Sequence, residues 1–314
     1  MSCRLEIFSL FAVLILNLVK ADVCKDTKPD FSAPGQRISE QKCREYNWER
    51  KRLEKCSKDA DSFEFPYVGA VGYKDEENKD WVFACGTFLI SERYTVTAAH
   101  CSRRRPEIGK FPEIVRFGNK NIVDEVKRLD VKIRSVIVHP QYKAPIKNFD
   151  IALIQLESEV PFSRSIYPVC LWSKNLDSFK FASNPAWGVE GKEYKIRKEI
   201  AVMNVQILDH DSCVEATKPW ITRLFRELSL HQICGDEQKS TVINCQGSGG
   251  SPLITKGSLD DSDEDQIPYA YGISSFGRGC GNMTIYTRIS SFIDWIEETV
   301  WPKTAPADAI HFVE

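Results

Sequence analysis

The stretch of sequence that decides the fold is a glycine-rich run between a cysteine and a hydrophobic residue, Cys245-Gln246-Gly247-Ser248-Gly249-Gly250-Ser251-Pro252-Leu253. Glycines in such a run let backbone amides approach a ligand closely, because no side chain covers them. Amides gathered in this way can hold a negatively charged oxygen. The run therefore predicts a loop whose geometry suits an oxyanion hole.

Two other segments contain residue types that catalysis commonly uses. His100 lies in Thr97-Ala98-Ala99-His100-Cys101, and Asp150 lies in Asn148-Phe149-Asp150-Ile151-Ala152-Leu153. A single histidine or aspartate of this kind is more often structural. Together with the glycine-rich run, however, the three segments resemble those of chymotrypsin-like (trypsin-family) serine proteases, in the chain order base, orienting acid, nucleophile. The resemblance implies the fold of that family.

The nucleophile loop departs from the family pattern, which runs Cys-x-Gly-Asp-Ser-Gly-Gly-Pro-Leu. Aligned without gaps, Ser248 stands at the aspartate and Gly249 at the nucleophilic serine. Glycine has no side chain that could attack a carbonyl carbon. We therefore expect His100 and Asp150 to be retained but vestigial, and the amides of Gly247 and Gly249 to form an oxyanion-type site that serves binding rather than turnover.

The activation signal of the family is also missing. In active members, by resemblance, a freed isoleucine amine after an Arg-Ile-Val-Gly-Gly site pairs with the aspartate that precedes the nucleophile. The corresponding region here is Arg52-Leu53-Glu54-Lys55-Cys56-Ser57, which encodes no such amine. Because Ser248 replaces the aspartate, the amine and the acid are lost together, and no unpaired charge is left buried.

The specificity pocket implied by the resemblance has changed as well. Its base is Ile243 and its walls are Gly277 and Thr284, so no carboxylate waits for a basic side chain. We expect the β-branched Thr284 to narrow or close the slot. The same threonine completes Asn282-Met283-Thr284, the one glycosylation sequon of the chain, and we expect a glycan on Asn282 at the pocket mouth.

The N-terminal residues of the chain suggest export. Residues 1–21 contain a basic Arg4, an apolar run and small residues before Asp22, which is typical of a secretory signal peptide and too short for a membrane span. The net charge of −2 argues against a nucleic-acid partner. We expect a secreted, extracellular protein without a membrane span.

These patterns divide the chain into four predicted parts. After the signal peptide, residues 22–58 form a charged arm with a helix over residues 40–54, which we interpret as a solvated tether. The arm resembles the linkers of snake-type insect proteases, and it leaves no room for the clip domain of that group. Residues 59–302 should form the chymotrypsin-like domain, and residues 303–314 a loose tail.

Cysteine usage indicates disulfides. Of the 11 cysteines, cleavage of the signal peptide removes Cys3 and leaves an even number, without the CxxC spacing of a zinc site. We expect no metal and no cofactor. The resemblance implies three pairs within the domain: Cys85–Cys101, Cys213–Cys234 and Cys245–Cys280. It also pairs Cys170 with one of the three arm cysteines, Cys24, Cys43 and Cys56, while the other two bond each other.

Short segments bounded by turn residues predict strands throughout the domain, at residues 81–90, 94–98, 131–138, 151–156, 199–207 and 269–274. Helical spacing predicts one helix over residues 221–228 and a terminal helix that begins with a capping box at Ser291 and ends at Pro302. The fold class is all-β: two packed antiparallel β-barrels, chymotrypsin-like, with a C-terminal helix.

Two charged runs are open to two interpretations. Arg103-Arg104-Arg105 and the acidic residues 260–265 are solvated loops, or they are exosites for a partner of opposite charge.

The resemblance implies a secreted, non-catalytic serine protease homologue that binds extracellular proteins as a cofactor or regulator of a proteolytic cascade. The alternative is an active serine endopeptidase that uses Ser248, or Ser251, in a shifted nucleophile loop. A third interpretation, an adhesive or ligand-binding module, differs from the first only in its partner.

Overall fold

The computed structural model describes residues 24, 27–57, 62–75, 80–103, 111–123, 128–174, 179–190, 195–196, 198–237, 248–258, 266–277 and 283–303. Several predictions concern residues outside these ranges: the signal peptide, the tail beyond residue 303, Arg104 and Arg105, the acidic run 260–265, the Cys245–Cys280 pair, Gly247, Ile243 and Asn282.

Six antiparallel strands close the first barrel in the order β1-β2-β3-β6-β5-β4. Branched and aromatic side chains fill its interior, among them Val71, Phe88 and Leu153, each of which is fully buried. The strands are β1 (Val68–Lys74), β2 (Trp81–Leu89), β3 (Tyr94–Thr97), β4 (Pro112–Phe117), β5 (Leu129–Val138) and β6 (Ala152–Leu156).

The second barrel also closes with six antiparallel strands, because β13 pairs with both β8 and β14. Its strands are β8 (Phe181–Ala186), β11 (Ala201–Ile207), β12 (Gln232–Glu237), β13 (Pro252–Gly257), β14 (Ile267–Gly277) and β15 (Met283–Arg288). The described residues contain three further short strands: β7 (Cys170–Leu171), which runs parallel to β14, and the pair β9 (Val189–Glu190) and β10 (Lys195–Ile196). The predicted all-β, two-barrel fold is confirmed.

The strand predictions agree with the structure to within a few residues at each end. The six predicted segments correspond to β2, β3, β5, β6, β11 and β14. Strand β11 shows why the pattern was informative, since its residues alternate between buried and exposed along its whole length. Inward residues of such a strand fill the barrel, and outward residues face water.

Three α-helices are present in the described residues: α1 (Ile38–Cys56), α2 (His210–Thr217) and α3 (Ile293–Val300). None of the helices in this part of the chain is both long enough and apolar enough to cross a membrane. The first lies in the arm, the second lies in the loop closed by Cys213–Cys234, and the third follows the second barrel.

The helix predicted over residues 221–228 is wrong. The helix of this loop lies earlier, at α2, where the Asp209 side chain accepts a hydrogen bond from the Ser212 amide at 2.9 Å. Beyond α2, the chain forms a turn in which the Thr222 amide bonds the Phe225 carbonyl at 2.7 Å. Ile221 is 55% exposed, so the helical spacing of apolar residues did not reflect a buried helix face.

The capping box predicted at Ser291 is also wrong. A turn of 3₁₀-helix, Ile289–Phe292, precedes α3, and no side chain caps the helix at Phe292. Asp294, expected in the capping box, instead accepts a hydrogen bond from Arg37 Nη1 at 2.6 Å. The helix ends at Val300, two residues before Pro302.

The arm is packed against the body, contrary to the interpretation as a solvated tether. Cys43 and Tyr46 of α1 are buried, and Tyr46 donates a hydrogen bond to Glu92 at 3.2 Å. Charges of α1 pair with each other, as Arg50 does with Glu54, and Arg37, just before α1, pairs with Asp294 and Glu297 of α3 on the body.

Four disulfides lie in the described residues. Cys85–Cys101 and Cys213–Cys234 each lie within one barrel, and Cys43–Cys170 joins the arm to the body. The fourth, Cys24–Cys56, closes the arm on itself. Cys43 is therefore the partner of Cys170, which the sequence left open among three cysteines.

Candidate functional site

His100 and Asp150 are brought together by the pairing of two strands. Strand β3 ends at Thr97, which lies opposite Ala152 at the start of β6. His100 follows β3 in a turn of 3₁₀-helix, and Asp150 precedes β6 by two residues. Antiparallel pairing therefore places both side chains at one end of the first barrel.

The two residues form a doubly hydrogen-bonded pair. His100 Nδ1 lies 2.8 Å from Asp150 Oδ2, and the His100 amide donates to Asp150 Oδ1 at 2.9 Å. A carboxylate acceptor at Nδ1 holds the proton on that nitrogen, so Nε2 carries the lone pair. The pair therefore has the arrangement of a general base and its orienting acid.

Asp150 is fully buried, and its negative charge is stabilised by His100, by Lys147 of its own loop and by Ser275 of the second barrel. Burial alone would raise the pKa of Asp150, but the charge and hydrogen bond of His100 outweigh it, with Lys147 and Ser275, so the pKa is lowered. Ser275 Oγ donates to Oδ2 at 2.5 Å, and Thr287 Oγ1 donates to the Asp150 carbonyl at 3.0 Å. The carboxylate thus stays ionised.

The residue before Asp150 has an unusual backbone. Phe149 has a φ of 56°, a left-handed conformation that non-glycine residues rarely adopt. Its amide donates to His231 Nε2 at 3.3 Å, and its ring stacks with the rings of both His139 and His231, at centroid distances of 5.4 and 4.4 Å. Two histidines distant in sequence therefore hold the turn that presents Asp150.

The imidazole of His100 lies directly against the backbone of Gly249. A Cβ atom placed on Gly249 would lie 2.5 Å from His100 Nε2, closer than real Cβ contacts come. Within the described part of the chain, Nε2 has no hydrogen-bond partner. The space that a nucleophilic side chain needs is thus filled by the base.

The neighbours of Gly249 are fixed by tight packing between the barrels. Gly250 has a φ of +85°, and a Cβ there would lie 2.3 Å from the Gly86 carbonyl oxygen, so only glycine fits. The Gly249 carbonyl accepts a hydrogen bond from the Gly86 amide at 2.9 Å. This part of the loop therefore keeps a fixed position against the first barrel.

The two candidate alternative nucleophiles are both buried. Ser251 has no exposed surface, and its hydroxyl packs against Gly86 and has no hydrogen-bond partner among the described residues. Ser248 is 9% exposed, and the described part of the chain has no hydrogen bond between its hydroxyl and His100. A substrate cannot reach Ser251 without moving the two barrels apart.

The predicted pocket walls lie opposite each other on neighbouring strands. Gly277 of β14 faces Thr284 of β15, and a Cβ on Gly277 would lie 3.2 Å from Thr284 Oγ1. Thr284 Oγ1 also donates to Glu237 Oε1 at 2.7 Å. Glu237 is buried at the end of β12, and burial raises its pKa to about 6.

The sequence did not single out Glu237, His231, His139 or the hydroxyl of Ser275 as members of this region.

Cys85, His100 and Cys101 lie close enough together to suggest a metal site, with ligand atoms within 4.8 Å. The two sulfur atoms are bonded to each other, however, and cannot act as thiolate ligands. One imidazole nitrogen remains, which is insufficient for a metal site.

The chain was compared with protein-family models and with known proteins. The family model described as Trypsin matches residues 56–296. The chain is 32% identical to serine protease Hayan of Drosophila melanogaster over 76% of this chain and 38% of that protein. It is 28% identical to serine protease snk of the same fly, over 85% of this chain and 66% of that protein.

Phenoloxidase-activating factor 1 of Holotrichia diomphalia is 31% identical over 76% of this chain and 67% of that protein. The chain thus spans 38% of Hayan and just under two thirds of snk. The Trypsin match covers most of the chain and both barrels, and the three relatives match over three quarters of it or more. The chain belongs to the trypsin family.

Proposed function

We propose that this protein is a non-catalytic member of its family that acts by binding. The observation that carries the proposal is the contact between His100 and Gly249, where a Cβ would lie 2.5 Å from Nε2. Covalent catalysis by this family needs a hydroxyl between the base and the scissile carbonyl. The base of this chain has neither a hydroxyl to deprotonate at position 249 nor the space for one.

The binding partners we propose are extracellular proteins of a proteolytic cascade, on which the protein acts as a cofactor or regulator. The relatives are named as serine proteases, and one is named as an activating factor for phenoloxidase. Four disulfides fit an oxidising compartment, and the first 21 residues fit a signal peptide. We therefore propose secretion.

The test is depletion and add-back in the extracellular fluid of the source organism. We expect depletion of this protein to change the rate at which cascade proteases are cleaved, and the wild-type protein to restore the rate. Ser248→Ala and His100→Ala should restore it as well as the wild type, because neither hydroxyl nor imidazole performs chemistry. Restoration by the wild type but by neither variant would contradict the proposal and favour the active endopeptidase.

A further inference from the structure

A groove lies beside the candidate site, between the loop that leads to Asp150 and the loop that leads to β12. Its volume is about 320 Å³, at the low end of the range for ligand sites, which suits a few side chains. Six of its residues carry the inference and are termed the arginine groove: Ile146, Lys147, Arg223, Leu224, Arg226 and Glu227.

The two walls of the arginine groove are tied together. Ser229 Oγ donates to Asn148 Oδ1 at 3.1 Å, and Gln232 Nε2 donates to the Lys147 carbonyl at 3.1 Å. The hydroxyl of Thr222 accepts two backbone amides at 3.2 Å each and fixes the turn of the second wall. The groove is therefore preformed, which lowers the conformational entropy lost when a partner binds.

The charge of the arginine groove is opposite to that of the whole chain. Of its three cations, Lys147 pairs with Asp150 at 3.9 Å, which leaves Arg223 and Arg226 beside one anion, Glu227, whereas the chain has a net charge of −2. Arg223 and Arg226 are exposed and form no ion pair within the described residues. A guanidinium binds a carboxylate with two parallel hydrogen bonds, so carboxylates are the groups that these arginines suit best.

Exposed aliphatic side chains lie among these cations. Ile146 is 41% exposed and Leu224 is 44% exposed, and both line the groove, with Ile221 close by in sequence at 55%. Apolar side chains exposed together beside unpaired arginines are typical of protein interfaces, in which arginine is enriched. A purely polar anion would leave these aliphatic groups without a contact.

We propose that the arginine groove binds an acidic segment of a partner protein in which carboxylates flank an aliphatic or aromatic residue. The carboxylates pair with Arg223 and Arg226, and the apolar residue covers Leu224 and Ile146. The proposal rests on the binding function proposed above and names the chemistry of the partner.

The experiment measures fluorescence anisotropy of a labelled peptide, Gly-Asp-Glu-Leu-Asp-Glu-Gly, with the full-length secreted protein. We expect saturable binding that weakens at least tenfold in the double variant Arg223→Glu/Arg226→Glu, and severalfold in Leu224→Ser. Lys256→Glu makes the charge change of one of these arginine substitutions at an exposed position of β13 and should leave binding unchanged. Unfolding midpoints of all variants should match the wild type, because the altered side chains are exposed.

Several results would overturn the proposal. One is equal binding of the neutral peptide Gly-Asn-Gln-Leu-Asn-Gln-Gly, and another is equal weakening by Lys256→Glu, which would indicate unspecific attraction. Preferential binding of heparin or a DNA oligonucleotide would identify a different class of ligand. Self-association of the protein that Arg223→Glu abolishes, without peptide binding, would identify a second copy as the occupant.

Failure of this proposal is distinguishable from failure of the proposed function. A protein that stays unlabelled by a fluorophosphonate probe but binds no acidic peptide refutes the arginine groove alone. A protein that the probe labels refutes the non-catalytic function, whatever the peptide does.

Discussion

At the scale of single residues, Gly249 decides what the site can do. Its missing side chain lets the imidazole of His100 approach the backbone. The imidazole is held by the hydrogen bond of its Nδ1 to the fully buried Asp150, to which the His100 backbone amide also donates. A serine at position 249 has to push the imidazole away from a carboxylate that no solvent reaches. Restoring the family residue therefore requires the imidazole to shift from its present position.

Gly249→Ser should leave peptidase activity at background and lower the free energy of unfolding by about 1–3 kcal/mol, the typical effect of overpacking. Gly249→Ala should show a similar loss of stability. In a His100→Ala background the loss should largely disappear, because the clashing imidazole is gone. Urea unfolding of the four proteins in this double-mutant cycle measures the coupling, and equal losses in both backgrounds would contradict the contact.

The buried carboxyl group of Glu237 leads to a prediction about how stability depends on pH. Its pKa is raised by burial from 4.5 to about 6, so the folded protein binds this proton more tightly than the unfolded chain does. The free energy of unfolding should therefore decrease as the pH rises between these two values. Glu237→Gln removes the charge and keeps an oxygen that can accept from Thr284.

We expect Glu237→Gln to be more stable than the wild type by about 1–2 kcal/mol at pH 7.5 and to match it at pH 4. Urea unfolding at several pH values checks this, with the exposed Glu227→Gln as the control for loss of one negative charge. A stability difference that is independent of pH would show that Glu237 is not buried in its neutral form.

At the scale of elements, the turn before β6 depends on the histidines at positions 139 and 231. Burial lowers the pKa of each, and the charge of His139 lowers that of His231 further. Below pH 6.5 the unfolded chain then binds more protons than the folded protein, so this contribution to stability is lost as the pH falls. Protonation of His231 Nε2 also removes the acceptor of the Phe149 amide.

Hydrogen exchange measures this effect directly. We expect the Phe149 amide to be protected at pH 7.5 and to lose protection, after correction for intrinsic exchange, at pH 5. The Cys101 amide, which bonds the Ala98 carbonyl, is the internal control and should keep its protection. Equal protection of Phe149 at both pH values would contradict the role given to His231.

Sequence patterns predicted local features well and long-range contacts poorly. The strands β2, β5 and β11 were predictable because alternation and β-branched residues reflect a half-buried surface. The helix predicted over residues 221–228 failed because its apolar spacing lies on an exposed turn. The partners of Asp150 and Phe149, such as Ser275 and His231, come from the second barrel, and no local pattern encodes such a contact.

At the scale of the whole molecule, the arm is an integral part of the body. Its helix α1 pairs with α3 through Glu297 and bonds covalently to Cys170 through Cys43. The Cys43–Cys170 bond spans 127 residues of sequence and the Cys24–Cys56 bond spans 32. In the chain-entropy model, the longer loop restricts the unfolded chain more.

We expect Cys43→Ala/Cys170→Ala to lower the free energy of unfolding by up to about 5 kcal/mol, and Cys24→Ala/Cys56→Ala by up to about 4 kcal/mol. Denaturant unfolding monitored by circular dichroism compares the two double variants. A smaller loss for Cys43–Cys170 than for Cys24–Cys56 would show that the arm is not tied to the stability of the body.

The intact mass of the purified, secreted protein after incubation with a fluorophosphonate probe tests the central claim most directly. Active trypsin, treated in parallel, serves as the positive control and should gain one probe adduct. The account predicts that this protein gains none, because His100 has no serine hydroxyl to activate. A single adduct that maps to Ser248 and disappears in Ser248→Ala would contradict the account.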